Sequence, residues 1–222
     1  MDYKQEFIEL MVRSGVLRFG DFTTKSGRKT PYFINTGNFK TGRQLLELGR
    51  FYAACYHHHL GALQSVLFGP AYKGIPLVAV TATALAQHYG VDVPICFNRK
   101  EKKDHGEGGV LVGQAPKPGD TVVVIEDVIT AGTSVRETME LFRPMEGVKI
   151  GALIIAADRM ERGAGSLSTL EELRREFGIG VYPIVNIREI LEYMHNREID
   201  GKIVIDDAMR ERILEHLAQY GA

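Results

Sequence analysis

At 222 residues, with 45% apolar and 25% charged residues, the chain has the size and composition of one globular domain with a sizeable core. Its 27 Lys and Arg nearly balance its 28 Asp and Glu, which excludes an overall field drawing it to nucleic acid or to a membrane surface. Cys55 and Cys96 make neither a disulfide framework nor a CxxC metal pair, and the charge-broken N-terminus lacks a signal-peptide core, so a reducing cytoplasm is the expected location.

Phe7, Leu10 and Met11 follow helical spacing and predict an amphipathic helix over 3–14. "SGRKTPYFIN" (26–35) reads as a loop or short hairpin, punctuated by Gly27 and Pro31. A second helix is expected over 41–60; its "HHH" at 57–59 is a poor metal site, because consecutive helical residues point in different directions. From residue 65 the pattern changes to short apolar runs rich in β-branched residues: "SVLFG", "VPICF", "TVVVIED", "KIGALIIAAD" and "GVYPIV". Helical stretches over 74–89, 134–145 and 169–177 lie between several of them. Strands alternating with helices predict an α/β fold with a mainly parallel central sheet flanked by helices on both faces. Cys96 ends one of those runs and reads as a small buried hydrophobe. A last helix is expected over 206–220, and neither repeats nor a long linker divide residues 1–222, which read as one domain.

The most informative segment is "TVVVIEDVITAGTS" (121–134). Its apolar run fits a central buried strand, and it ends on two adjacent carboxylates, Glu126 and Asp127. Ligands of open α/β sheets bind just beyond the carboxyl ends of the strands. Val128 and Ile129 lead into Thr130, Ala131, Gly132, Thr133 and Ser134, a turn of small and hydroxyl residues opening a helix. Such a turn lets the backbone approach a phosphate monoester, which the free N–H groups of a helix start can hold. A plainer reading makes Ser134 an N-cap, with Glu137 completing a capping box. Capping leaves the acid pair unexplained. Carboxylates repel phosphate but accept hydrogen bonds from vicinal hydroxyls, and hydroxyls beside a phosphate describe a ribose 5-phosphate. Neither a Walker phosphate loop nor a GxGxxG dinucleotide turn occurs in the chain.

Two further segments carry cations. "FGPAYKGIP" (68–76) follows a predicted strand, and its glycines and proline mark a constrained loop from which Tyr72 and Lys73 project. "NRKEKKDHGEGG" (98–109) combines Arg99, Lys100, Lys103 and His105 with Gly106, Gly108 and Gly109. On composition alone it is as well read as a solvated loop. Beside the other segments it reads as a hinged basic lid, whose cations meet the negative charge of a departing group and whose closure excludes water.

"VVVIEDVITAGTS" resembles the phosphoribosyl pyrophosphate (PRPP) signature of the type I phosphoribosyltransferases. Together with "KSGRKTPYFIN", "GPAYKGIP", "NRKEKKDHGEGG" and "ADRMERG", it resembles the orotate phosphoribosyltransferases from the first helix to about residue 195. The resemblance implies the type I phosphoribosyltransferase fold, with a core over about 40–185 and a small hood from the N-terminal segment and C-terminal residues. It implies transfer of the phosphoribosyl group of PRPP to orotate, giving orotidine 5′-monophosphate and pyrophosphate, in de novo pyrimidine synthesis. It places Lys25, Tyr72, Lys73, Arg99, Lys100, Lys103 and His105 around the pyrophosphate, segment 126–134 on the ribose and 5′-phosphate, and Phe33, Ile34, Thr130 and Arg159 on orotate. Lys103, His105 and Asp127 are the residues it makes catalytic. Magnesium would ride on the pyrophosphate rather than on protein ligands, and a homodimer would share its active sites through Lys25 or Lys100 acting in trans. Two departures stand out: the acid pair is Glu-Asp rather than Asp-Asp, and Ile34 replaces a second aromatic.

Orotate is a planar anion, so an aromatic face at Phe33 and a guanidinium fork at Arg159 suit it on physical grounds. The plainer reading of Arg159 is an ion pair with Glu161 or Asp158. Two other functions compete: transfer to a purine, and PRPP sensing by a nucleic-acid-binding regulator, which the near-neutral charge balance opposes.

Overall fold

The structure is a computed structural model describing residues 2–24, 27–103, 109–163 and 165–222, with the backbone alone over 101–103. The chain opens with α1 (Tyr3–Arg13), whose Phe7, Ile8 and Met11 are buried. An antiparallel pair follows, β1 (Leu17–Thr23) and β2 (Lys29–Ile34), with a register shift between Phe19 and Phe22. Of the two expectations for 26–35, the hairpin is the one realised, and β2 is its second arm. α2 (Gly42–Leu60) starts at a capping box between Thr41 and Gln44, which satisfies the free N–H groups of its first turn.

Then come β3 (Val66–Gly69), α3 (Gly74–Tyr89), β4 (Ile95–Lys103), β5 (Gly109–Gly113), β6 (Thr121–Glu126), α4 (Thr133–Phe142), β7 (Lys149–Asp158), α5 (Thr169–Phe177) and β8 (Gly180–Asn186). The chain continues through α6 (Ile187–Met194), a short ladder of β9 (Glu198–Ile199) and β10 (Lys202–Ile203), and α7 (Asp207–Tyr220). Six strands form one sheet in the order β5-β4-β3-β6-β7-β8, parallel except for the β4–β5 hairpin at one edge. The interior strand β6 shows why both faces are covered. Val123 and Ile125 join the core under α2 and α3, while Val122 and Val124 join the core under α4 and α5.

The chain runs from β3 outward to β4 and β5, then returns to place β6 on the other side of β3. This reversal leaves a crevice between the carboxyl ends of β3 and β6, where ligands bind in open α/β sheets.

The helix expected over 134–145 is α4, one residue earlier at its start and ending at Phe142, two residues before Pro144. Helix α6 carries no signal in the sequence reading. It is eight residues long, and its cap Asn186 is also the last residue of β8, so no turn separates the two elements.

Candidate functional site

Glu126 and Asp127 stand at the carboxyl end of β6, 6% and 7% exposed. Their backbone is fixed from two sides: Tyr52 of α2 donates its hydroxyl to the Glu126 carbonyl at 2.7 Å, and the Ala156 N–H of β7 donates to the Asp127 carbonyl at 2.8 Å. The Asp127 N–H donates to Glu126 Oε1 at 3.0 Å. Burial pushes the Glu126 carboxyl up to about 6; the Asp127 N–H and a hydrogen bond from Ser134 oppose the shift, while the Asp127 charge adds to it. Asp127 turns Oδ2 toward the crevice, where it accepts from Lys73 Nζ and from Thr36 Oγ1, both at 2.7 Å. The Lys73 side chain is 63% exposed, so this ion pair is of the weak class, about 0–1 kcal/mol, and is easily exchanged.

Lys73 reaches Asp127 from the loop after β3. That loop is drawn tight where Gly69 and Gly74 meet backbone to backbone: a Cβ on Gly74 would lie 2.6 Å from the Gly69 carbonyl carbon. Asn98 of β4 fastens the same loop by accepting from the Ala71 N–H at 2.8 Å. Tyr72 stands 67% exposed at the rim, with the ammonium of exposed Lys100 at 5.2 Å from its ring centroid. Arg99 is half-buried on β4.

The turn after Asp127 runs through half-buried Val128 and Ile129 to exposed Thr130 and Ala131. Gly132 takes φ 74°, the left-handed conformation that glycine adopts freely, and α4 begins at Thr133. This overturns the plainer reading of Ser134 as an N-cap. The glycine turn starts the helix before Ser134, which is therefore inside the first turn and caps nothing; its hydroxyl goes to Glu126 instead. Among the described residues no side chain caps α4, so the first-turn N–H groups face the crevice with the positive end of the helix dipole. Thr169 of α5 supports the turn by donating to the Thr130 carbonyl at 2.8 Å.

Arg159 follows β7 on the same carboxyl edge. Its Nε and Nη2 donate to Glu161 Oε1 at 3.1 and 2.7 Å, and its guanidinium carbon lies 5.2 Å from the Tyr32 ring centroid. The ion pair with Glu161 is thus present, but both partners are half-buried beside the β1–β2 hairpin, their side chains 16% and 13% exposed, rather than spread on the surface. Phe33 stacks on Phe22 at 5.6 Å, with Arg18 over both rings, whereas Ile34 packs on the main core. Neighbours on a strand face opposite ways, so these two side chains do not share one surface.

Lys25 and His105, and the side chain of Lys103, lie outside the described residues. Of the three consecutive histidines, His57 stacks on Tyr89 and His59 on Tyr182. Cys96 is fully buried, and burial pushes its thiol up to about 11. Among the described residues no group of three or more His, Cys, Asp or Glu is gathered to hold a metal ion, and no helix is long and apolar enough to cross a membrane. Thr36, Tyr52, Asn98 and Thr169, which carry no motif signal in the sequence, hold the acid pair and its loops from distant elements.

A model of the phosphoribosyl transferase domain matches residues 35–171. The orotate phosphoribosyltransferase of Clostridium acetobutylicum is 52% identical over 219 residues, 99% of this chain and 98% of that protein. That of Pseudomonas fluorescens SBW25 is 54% identical over 194 residues, 87% of this chain and 89% of that protein. Among solved structures, the orotate phosphoribosyltransferase of Francisella tularensis superposes with a TM-score of 0.84 at 37% identity, covering 98% of this chain and all of that one. A buried acid pair before a glycine turn, at the switch point of the sheet, in a chain matched along most or all of its length by these proteins, leaves one assignment: the chain belongs to the phosphoribosyl transferase family and, within it, to the orotate phosphoribosyltransferases.

Proposed function

We propose that this chain transfers the 5-phosphoribosyl group of PRPP to orotate, forming orotidine 5′-monophosphate and pyrophosphate in pyrimidine synthesis. The observation that carries the reading is the crevice itself. Asp127 Oδ2 and the Lys73 ammonium meet there at 2.7 Å, beside the first turn of α4, in a chain about half identical to orotate phosphoribosyltransferases along its length.

The ribose hydroxyls donate to Glu126 and Asp127, and the 5′-phosphate sits on the N–H groups of segment 130–134. As the hydroxyls take over Asp127, Lys73 is freed to turn to the diphosphate, an exchange that costs little because the ion pair is exposed on the lysine side. Tyr72, Arg99 and Lys100, with Lys25, Lys103 and His105, complete the diphosphate end. Breaking the bond from ribose C1 to the diphosphate leaves positive charge on the sugar and negative charge on the leaving group. Cations fixed near that leaving group lower the barrier, and positioning supplies most of the rest. The orotate ring nitrogen reacts as an anion, so no general base is assigned. Arg159 pairs with the orotate carboxylate, with Phe33 and Thr130 at the ring; Ile34, on the opposite face of β2 and packed on the core, supports the strand from behind.

The donor set fits magnesium carried by the substrate. Glu126 and Asp127 are given to the ribose hydroxyls, and among the described residues no group of three or more His, Cys, Asp or Glu gathers to make a cage of its own. When bound, magnesium supplies charge neutralisation on the diphosphate oxygens. The β1–β2 hairpin and α7 form the hood, and segment 98–109 is a lid serving a neighbouring subunit in a homodimer. Two buried free cysteines suit a reducing cytoplasm.

The test is loss of orotate absorbance with PRPP and magnesium present, and with PRPP omitted. PRPP-dependent loss of orotate, with adenine and hypoxanthine untouched, is expected; consumption of a purine instead would overturn the reading.

A further inference from the structure

Glu161 is a junction. Its Oε1 accepts from Arg159 Nε and Nη2 at 3.1 and 2.7 Å, from the Tyr32 hydroxyl at 3.0 Å and from His216 Nε2 at 2.9 Å, while Oε2 pairs with Arg28 Nη1 at 2.9 Å. These donors come from β2 and the turn before it, from the segment after β7, and from α7. The Glu161 and His216 side chains are 13% and 4% exposed, so the junction is shielded from water.

The backbone around it is constrained. Met160, between Arg159 and Glu161, has φ 54°, a left-handed conformation that L residues with a long side chain seldom adopt. It is held by its N–H on Asp158 Oδ1 at 2.7 Å and by its carbonyl, which accepts from the Ala222 N–H at 3.0 Å. The Arg162 N–H donates to the Tyr220 carbonyl at 2.8 Å, so the end of α7 is stitched to the same segment. Arg159 and Glu161 thereby meet side by side although only two positions apart.

We propose that Glu161 is the positioning residue that aims Arg159 at the carboxylate of the substrate, and that His216 of α7 locks Glu161 in place. This rests on the assignment of orotate above. Two features make the junction more than a structural ion pair. Glu161 engages the Nε–Nη2 side of the guanidinium and leaves Nη1 out of the pair, so the end of the fork stays available for a second carboxylate. Moreover, two guanidiniums, Arg28 and Arg159, share the one carboxylate of Glu161, leaving the cluster a positive charge that an incoming anion would balance. Uracil, the same ring without the carboxylate, would not.

The experiment measures KM for orotate and for PRPP, and the ratio of kcat/KM for orotate to that for uracil. The proteins compared are wild type, Glu161→Gln, His216→Ala and His216→Gln, each with its thermal midpoint. Misaiming a substrate-binding group costs up to about 10²-fold, so Glu161→Gln is expected to raise KM for orotate about ten- to hundredfold. The orotate-to-uracil ratio should fall by a similar factor, with KM for PRPP within about twofold. His216→Ala should shift the same two quantities less, and His216→Gln, which keeps a donor near the Nε2 position, should restore them. An equal loss toward orotate and uracil, tracking the thermal midpoint, would overturn the proposal. If Glu161→Gln fails to fold, the two His216 variants decide: a folded His216→Ala protein with unchanged orotate KM and ratio overturns it. Wild type that consumes no orotate would instead defeat the assignment of substrate, a result the ratio cannot imitate.

Discussion

The two ends of the crevice are built in opposite ways. Around the acid pair, the chemistry lies in unbroken runs of sequence, and backbone does the holding: Gly69 against Gly74, Gly132 at φ 74°, carbonyls tied to Tyr52 and Ala156. Around Glu161, the side chains of residues 28, 32, 159 and 216 converge on one carboxylate, mainly through charge, on a backbone stitched to the end of α7. A loop shaped by backbone contacts recognises what every phosphoribosyl donor has in common. A cluster of side chains can be retuned one residue at a time, which suits the end proposed to choose the base.

The largest effect should come from Lys103→Ala, whose cation the proposed function puts at the departing diphosphate. Turnover should fall about 10²–10³-fold, with PRPP affinity changed far less; steady-state kinetics showing a raised KM at unchanged kcat would place Lys103 in binding instead. Mixing inactive Lys100→Ala and Asp127→Asn proteins should recover part of the activity through hybrid dimers. Full inactivity after proven subunit exchange would confine each site to one chain.

Gly69→Ala probes the backbone half of the comparison. Its Cβ would fall on the Gly74 carbonyl, and overpacking of that kind costs about 1–3 kcal/mol, readable as a lower denaturation midpoint. An unchanged midpoint would mean that the two loops part more easily than their contact implies.

The smallest effect is electrostatic. Burial raises the Glu126 carboxyl from 4.5 to about 6, so the folded state binds its proton more tightly than the unfolded state does. Stability is therefore lost as pH rises through that window, and the cost persists above it. Glu126→Gln removes the charge. Relative to wild type it should gain on the order of 1–2 kcal/mol above pH 6, a gain that vanishes below pH 4.5, in melts taken across that range. A gain independent of pH would assign the effect to packing.

What the sequence made legible follows the same division. The sheet strands announce themselves as apolar runs, and the acid pair, the glycine turn and Lys73 lie inside or just after them, so pattern and motif sufficed. The plainer reading of Ser134 as a cap fails because a residue string does not reveal that Gly132 turns the chain left-handed and starts α4 early. Thr36, Tyr52, Asn98 and Thr169 were invisible for a different reason: each acts through one hydrogen bond to a segment distant in sequence. Glu161 was legible only as one of two candidate ion-pair partners of Arg159, since nothing local shows that Arg28, Tyr32 and His216 arrive on the same carboxylate. Short α6, butted against β8, escaped because periodicity needs length.

The central claim is that a ribose 5-phosphate is held where the acid pair meets the turn of small residues. Calorimetric titration of PRPP with magnesium into wild type and Asp127→Asn tests it most directly. Saturable binding by wild type, clearly weakened in the variant, is the predicted result; equal affinity in both proteins, or no binding by wild type, would contradict it.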